Sequence, residues 1–77
     1  MPSKRANQNV LVRFGQRLRQ VRLSKGLTQE VLAAEAGFSR SYYTEIETGK
    51  RNISLQNIEK LARALDVEIK EFFDSDT

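Results

Sequence analysis

Apolar residues recur every three or four positions along most of this chain, which is the spacing of amphipathic helices. The first apolar stripe has these members: Leu11, Phe14, Leu18 and Val21. It predicts a helix from about Val10 to Lys25, which Gly26 ends. Arg22 borders this stripe. The other arginines of the helix are expected to be solvated: Arg13, Arg17 and Arg19.

The stretch from Leu27 to Arg51 fits two short helices joined by a tight turn, LTQEVLAAEAGFSRSYYTEIETGKR. Thr28 and Ser39 stand where N-caps are expected, before QEVLAAEA and RSYYTEIET. Gly37 and Gly49 stand where left-handed residues end helices. Because the turn is too short for the two helices to lie antiparallel, the pattern predicts a helix-turn-helix.

The same periodicity predicts the second and fourth helices. The second is Gln29–Ala36, in which either Val31 or Leu32 faces the core. The fourth begins after the N-cap Ser54 and runs to about Leu65. Its predicted inward residues are Leu55, Ile58, Leu61, Ala62 and Leu65.

A short fifth helix is predicted at about Ile69 to Phe73. Phe72 and Phe73 carry too much apolar surface for a frayed end, so we expect one to close the core and the other to meet a second subunit. The chain is therefore predicted to be one all-α domain of five helices, at residues 10–73. Its predicted flanks are a disordered basic tail, residues 1–9, and a solvated tail, residues 74–77.

The third predicted helix separates into two faces at about 100° per residue. The polar face comprises Arg40, Ser41, Thr44, Glu45 and Thr48. The other face comprises Tyr42, Tyr43, Ile46 and Glu47. A small protein needs the apolar face for its core, which leaves the polar face free with an arginine at its start. A helix that reads base edges in the major groove has this arrangement; a solvated face of an ordinary helix is the alternative.

This stretch resembles the helix-turn-helix of the lambdoid phage repressor and Cro family, also called the xenobiotic-response-element family. The family pattern is a glutamine, a Leu-Ala pair, a small residue before a turn glycine, and a hydrophobic residue before Glu-x-Gly. The matching residues here are Gln29, Leu32-Ala33, Ala36-Gly37, Ile46 and Glu47-Thr48-Gly49. The resemblance covers residues 13–73 and implies a compact repressor-like DNA-binding domain. Tyr43 departs from it, since Val or Ile usually stands there, and its hydroxyl needs a partner.

Within this family, the run RSYYTEIETGKRNIS looks most like the controller proteins of restriction–modification systems. The resemblance implies a dimeric transcriptional regulator that binds a palindromic operator, including one at its own promoter. RNA polymerase is a further candidate partner. An antitoxin-type protein-interaction module that also binds DNA is the alternative function.

Charge and composition agree with a nucleic-acid partner. Residues 1–51 carry a net charge of +6 and residues 52–77 a net charge of −3, so the half with the third helix is expected to face the DNA. The chain has no histidine or cysteine and no phosphate-binding Gly-rich loop, which disfavours an enzyme; no cofactor or metal is expected. It has no membrane-spanning apolar run and no secretory h-region, so the expected location is the cytoplasm.

The candidates for reading base edges are Arg40, Ser41, Thr44 and Glu45. Arg40 has the reach and fork geometry to bond O6 and N7 of a guanine, whereas Glu45 accepts only from an amino group. The candidates for phosphate contacts are Gln29, Tyr42, Lys50, Arg51 and Asn52. Gln29 begins a helix, where the backbone N–H groups and the dipole favour a phosphate. The family resemblance implies the same backbone contact for this glutamine.

Glu47 is predicted to lie on the apolar face, where an unpaired carboxylate would be costly. Arg22 can supply a planar bidentate partner, and the resemblance implies this structural ion pair. A chain of 77 residues has a thin stability margin, and one helix reads few base pairs, so a homodimer is expected. The candidate interface residues are Ile53, Val67, Ile69 and Phe73.

Overall fold

The computed structural model describes residues 9–73. Within that range the chain forms α1 (Val10–Ser24), α2 (Gln29–Ala36), α3 (Arg40–Glu47) and α4 (Leu55–Leu65), followed by a 3₁₀ helix at Ile69–Phe72. The all-α class is confirmed. None of the helices in this range is long and apolar enough to cross a membrane.

The predicted fifth α-helix is wrong in type, because it is a single turn of 3₁₀ helix. Its backbone bonds span three residues: the Glu71 N–H donates to the Glu68 carbonyl, and the Phe73 N–H to that of Lys70. A segment this short favours the tighter turn. The number of α-helices in residues 9–73 is therefore four.

Side-chain caps fix where the helices begin. Thr28, Ser39 and Ser54 each accept the backbone N–H three residues ahead, as predicted for N-caps. Asn9, which the sequence assigned to the basic tail, caps α1 by accepting the Leu11 N–H at 2.7 Å. The rest of that tail, residues 1–8, and the predicted tail at 74–77 lie outside the described residues.

The core lies between the four helices and is closed by the 3₁₀ helix. Leu32 is fully buried whereas Val31 is 43% exposed, which resolves the two alternatives for α2. Phe72 is buried and packs edge-on against Phe14, with ring centroids 5.5 Å apart. Phe73 is 55% exposed, so one of the two aromatic residues closes the core, as expected.

Three predicted side-chain environments are wrong. Leu55 was expected to face inward but is 76% exposed: it is the first residue of α4, and its side chain stays uncovered although Ile58, in the same turn, is buried. Arg13 and Arg17 were expected to be solvated but are half-buried, and Arg17 Nε donates to the Glu71 carbonyl at 2.7 Å. Arg17 therefore ties α1 to the 3₁₀ helix.

Close backbone contact between α1 and the end of α3 depends on Gly15. A Cβ at this position would lie 2.6 Å from the Ile46 carbonyl oxygen and closer still to that of Glu47. Gly49, just beyond α3, has φ +77° and an equally crowded site against Val12. The two glycines thus let α1 lie directly on the C-terminal turn of α3.

We predict that Gly15→Ala destabilises the protein by about 1–3 kcal/mol, because the backbone carbonyls of α3 cannot move away without shifting the helix. The direction of the change in stability is informative, because Gly→Ala in an exposed helix interior stabilises a protein by up to about 1 kcal/mol. Urea denaturation measures the effect, and Gln16→Ala on the exposed side of α1 is the control. A gain in stability for Gly15→Ala would show that the two helices are not in backbone contact.

Candidate nucleic-acid interface

Helix α3 presents one face to the core and the other to solvent. Tyr43, Ile46 and Glu47 are buried. Arg40 and Ser41 are exposed, and the remaining base-reading candidates, Thr44 and Glu45, are half-buried. All four base-reading candidates therefore lie outside the core.

A buried ion pair holds α3 against α1. Arg22 Nε lies 2.7 Å from Glu47 Oε2, and Arg22 Nη2 lies 3.4 Å from Oε1. The two side chains are 8% and 2% exposed. Arg22 Nη1 also donates to the Leu27 carbonyl at 2.8 Å, which fixes the loop before α2. The predicted Arg22–Glu47 pair is thus formed and shielded from water.

Two further donors complete the shell around Glu47. The Tyr43 hydroxyl donates to Oε2 at 2.5 Å, and the Gln29 side-chain amide donates to Oε1 at 3.0 Å. Within residues 9–73, every buried side-chain nitrogen and oxygen has a hydrogen-bond partner. Tyr43 therefore has a specific role: its hydroxyl, which departs from the family pattern, is a ligand of the buried carboxylate.

Hydrogen bonding decides the ionisation of this cluster. Burial by itself raises the pKa of Glu47, but the hydrogen bonds from Arg22, Tyr43 and Gln29 outweigh it and hold the pKa below its ordinary value. Burial, and then the bond to Glu47, raises the pKa of Tyr43. Glu47 is therefore an ionised carboxylate at neutral pH, and Tyr43 a neutral phenol.

The side chain of Gln29 is used inside the protein. Its Nε2 donates to Glu47, and its Oε1 accepts the Thr44 hydroxyl at 3.1 Å. A phosphate contact by Gln29 would therefore rely on the backbone N–H groups of the first turn of α2, which have no intrahelical acceptor.

Glu45 and Arg51 were assigned different roles by the sequence but pair with each other. Arg51 Nε lies 3.0 Å from Glu45 Oε1, and both side chains are about half exposed. The Arg51 guanidinium also lies 5.2 Å from the centre of the Tyr42 ring. Lys50 and Asn52, on either side of Arg51, are exposed. Two of the phosphate candidates, Tyr42 and Arg51, are thus in contact at the edge of α3.

Sequence reasoning missed the residues that support Tyr42. Asn57 Nδ2 donates to the Tyr42 hydroxyl at 2.8 Å, and Phe38 packs edge-on against its ring, with centroids 5.0 Å apart. Asn57 lies on α4 and gives no sequence signal, because its partner is fifteen residues away. Tyr42 is therefore anchored at its hydroxyl and on its ring.

Arg40 lies beside an open groove at the start of the helix-turn-helix. The groove is lined by Arg40 and by the loop and first turn that lead into α2, including Thr28, Gln29 and Glu30. An anion at this groove would meet the N–H groups of α2 and the guanidinium of Arg40 together. In residues 9–73, no three acidic side chains lie close enough together to hold a metal ion.

Comparison with known proteins assigns this fold and surface to a family. The family model described as helix-turn-helix, HTH_3, matches residues 18–72. The chain belongs to this helix-turn-helix family. The match spans all of α2, α3 and α4 and ends at the residue that closes the core.

The relatives of the chain include control proteins. It is 49% identical over 70 residues to the control protein C.BamHI of Bacillus amyloliquefaciens, covering 90% of this chain and 86% of that protein. It is 42% identical over 66 residues to the control protein C.MunI of Mycoplasma sp, covering 84% and 89%. The sequence-based resemblance to controller proteins is confirmed.

A solved structure agrees in shape. The restriction-modification controller protein C.AhdI from Aeromonas hydrophila superposes with a TM-score of 0.83 at 56% identity. The match covers 86% of this chain and 100% of that one.

We predict that Glu47→Ala destabilises this family member by about 3–5 kcal/mol, because it leaves the Arg22 guanidinium buried without its partner. Chemical denaturation measures the loss. The control is Glu59→Ala on α4, whose pair with Arg63 is exposed at 3.6 Å and should contribute below about 1 kcal/mol. Equal losses for the two variants would contradict the buried placement of Glu47.

The same carboxylate should make stability depend on pH. Because the folded-state pKa of Glu47 is lowered, its contribution is present above the unfolded pKa of about 4.3 and is lost as the pH falls through the folded value. Denaturation of Glu47→Gln at a series of pH values should therefore show a stability gap to the wild type that narrows in acid. A gap that is constant between pH 7 and pH 3 would contradict this.

Proposed function

We propose that this chain is a sequence-specific DNA-binding transcriptional regulator of the controller type. The observation that supports this most is the arrangement of α3: its buried face is fixed by Glu47, and its outer face begins with the exposed Arg40. A rigid helix with polar side chains at its N-terminal end is what major-groove recognition requires. The family and the control-protein relatives support the same function.

The charges around α3 are consistent with DNA as the ligand. Lys50 and Arg51 come shortly after the end of α3, and the first turn of α2, whose N–H groups have no intrahelical acceptor, lines a groove together with Arg40. Phosphate contacts from these two segments would fix the register of α3 on the duplex. Arg51 would leave Glu45 for a phosphate at little cost, because an exposed ion pair contributes at most about 1 kcal/mol.

We further propose that the protein acts as a homodimer on a palindromic operator, in the cytoplasm, with RNA polymerase as a partner in regulation. Three large apolar residues in the C-terminal part of the sequence remain exposed: Leu55, Ile69 and Phe73 are 76%, 37% and 55% exposed. Ile53 and Val67 are half-buried. A twofold dimer through these residues would place two copies of α3 about 34 Å apart, or a multiple of that, to meet successive half-sites.

We predict that Arg40→Ala weakens binding to the operator by about 1–3 kcal/mol and relaxes the choice of one base pair in each half-site. The operator is first found by selection from random DNA, and binding is then measured on operators permuted at every position. Arg51→Ala is the comparison: it should weaken binding to all sequences alike and reduce the salt slope by about one unit. If Arg40→Ala also lowered every affinity equally, Arg40 would be a phosphate contact.

We predict that the wild type sediments as a dimer at micromolar concentration and that Phe73→Ala weakens the dimer by about tenfold or more, since each subunit loses an aromatic contact. Val31→Ala, which truncates an exposed apolar residue on α2, should leave the dimer unchanged. Circular dichroism checks that both variants fold. A wild type that is monomeric both free and on DNA would contradict the proposed dimer.

A further inference from the structure

A chain of hydrogen bonds runs from the buried carboxylate to the outer face of α3. The Gln29 amide nitrogen donates to Glu47 Oε1 at 3.0 Å, and the Gln29 carbonyl oxygen accepts the Thr44 hydroxyl at 3.1 Å. Thr44 is half-buried and lies one turn after Arg40 on the polar face. A base-reading candidate is thus connected to the core through one side chain.

The buried carboxylate of Glu47 sets the donor and acceptor of each hydrogen bond in this series. Glu47 accepts from Arg22, Tyr43 and Gln29, and an ionised carboxylate can only accept. Gln29 must therefore turn its NH₂ group toward Glu47, which leaves its carbonyl oxygen toward Thr44. A carbonyl oxygen cannot donate, so the bond between the two side chains must use the single hydroxyl proton of Thr44.

We infer that the Thr44 hydroxyl faces DNA only as a hydrogen-bond acceptor and selects an amino donor in the major groove. The groups with that chemistry are the N4 amino group of cytosine and the N6 amino group of adenine. Thr44 then cannot donate to guanine O6 or N7, to thymine O4 or to a phosphate oxygen. This inference rests on the proposed function and deepens it, with Gln29 as the positioning residue that makes the choice.

Two physical effects favour an acceptor at this position. A hydroxyl that donates to a polarised amide becomes a better acceptor, because hydrogen bonds in series reinforce one another. The bond to Gln29 also holds the Thr44 side chain in one rotamer, so its free lone pairs keep one direction. An untethered hydroxyl would rotate, and could donate to an acceptor edge or accept from a donor edge, as threonine and serine commonly do.

The test removes single groups from the bases of the selected operator. Purine in place of adenine, or 2-pyrimidinone in place of cytosine, deletes the amino donor without adding a clash. At one position in each half-site this deletion should weaken wild-type binding by about threefold to tenfold, the value of one neutral hydrogen bond. Thr44→Val should bind the intact and deleted operators equally, whereas Thr44→Ser should discriminate as the wild type does.

Gln29→Met tests the positioning role. It leaves Thr44 in place but frees its hydroxyl, so discrimination should fall at the Thr44 position and stay unchanged at the Arg40 position. A merely structural effect of Gln29 would lower binding at all positions together. Thr48→Val controls for the loss of a threonine hydroxyl, because the Thr48 hydroxyl bonds to the Thr44 backbone carbonyl at 3.0 Å, at the far end of α3.

The possible results separate the inference from the proposed function. Two results would show that the inference is wrong while base reading by Arg40 is unaffected. In the first, the operator position that responds to Thr44→Val is sensitive to loss of an acceptor, as with 7-deazaguanine. In the second, no operator position responds to Thr44→Val. If Gln29→Met leaves the selectivity at the Thr44 position intact, the positioning role is wrong. If the wild type selects no operator at all, the proposed function fails and the inference falls with it.

Discussion

The structure depends on keeping one ionised carboxylate out of water. Glu47 is 2% exposed, and its donors come from three helices: Arg22 from α1, Gln29 from α2 and Tyr43 from α3 itself. Removing any donor leaves charge or a polar atom unsatisfied, so the three helices have one mutual arrangement in which all of them are bonded. Apolar contacts alone tolerate sliding and repacking. The buried carboxylate is therefore what fixes α3, whose outer face carries the proposed function.

Features set by local chemistry could be predicted from the sequence. The caps at Thr28, Ser39 and Ser54 depend on hydroxyls adjacent to the helices they start, and the helical periodicity gave α2 and α3 their limits. The pair of Arg22 and Glu47 was also predictable, because a carboxylate on an apolar face needs a partner, Arg22 borders the facing stripe, and the family resemblance implies this pair.

Features set by tertiary contact could not be predicted in this way. Periodicity places Leu55 on the inward face of α4, but it does not say whether another element covers that side chain, and none does. The partners of Gln29 lie fifteen and eighteen residues away, and its amide could equally have met solvent or phosphate. The role of Gly15 depends on how closely two helices approach, which composition and spacing do not reveal. In each case the missing information is a distance between elements.

The side chains on the outer side of α3 and those between α3 and the core differ in how firmly they are held. Arg51 and Glu45 pair with each other at the surface, where water competes for both groups and exchange of partners costs little. Gln29 is half-buried and Glu47 is buried, so an unpaired polar group on either would be costlier. An amide side chain suits the position between Glu47 and Thr44, since it donates on one side and accepts on the other while carrying no charge. A glutamate at position 29 would repel Glu47, and a lysine could not accept from Thr44. Glutamine alone combines this chemistry with the reach from the start of α2 to both partners, because asparagine carries the same group one methylene shorter.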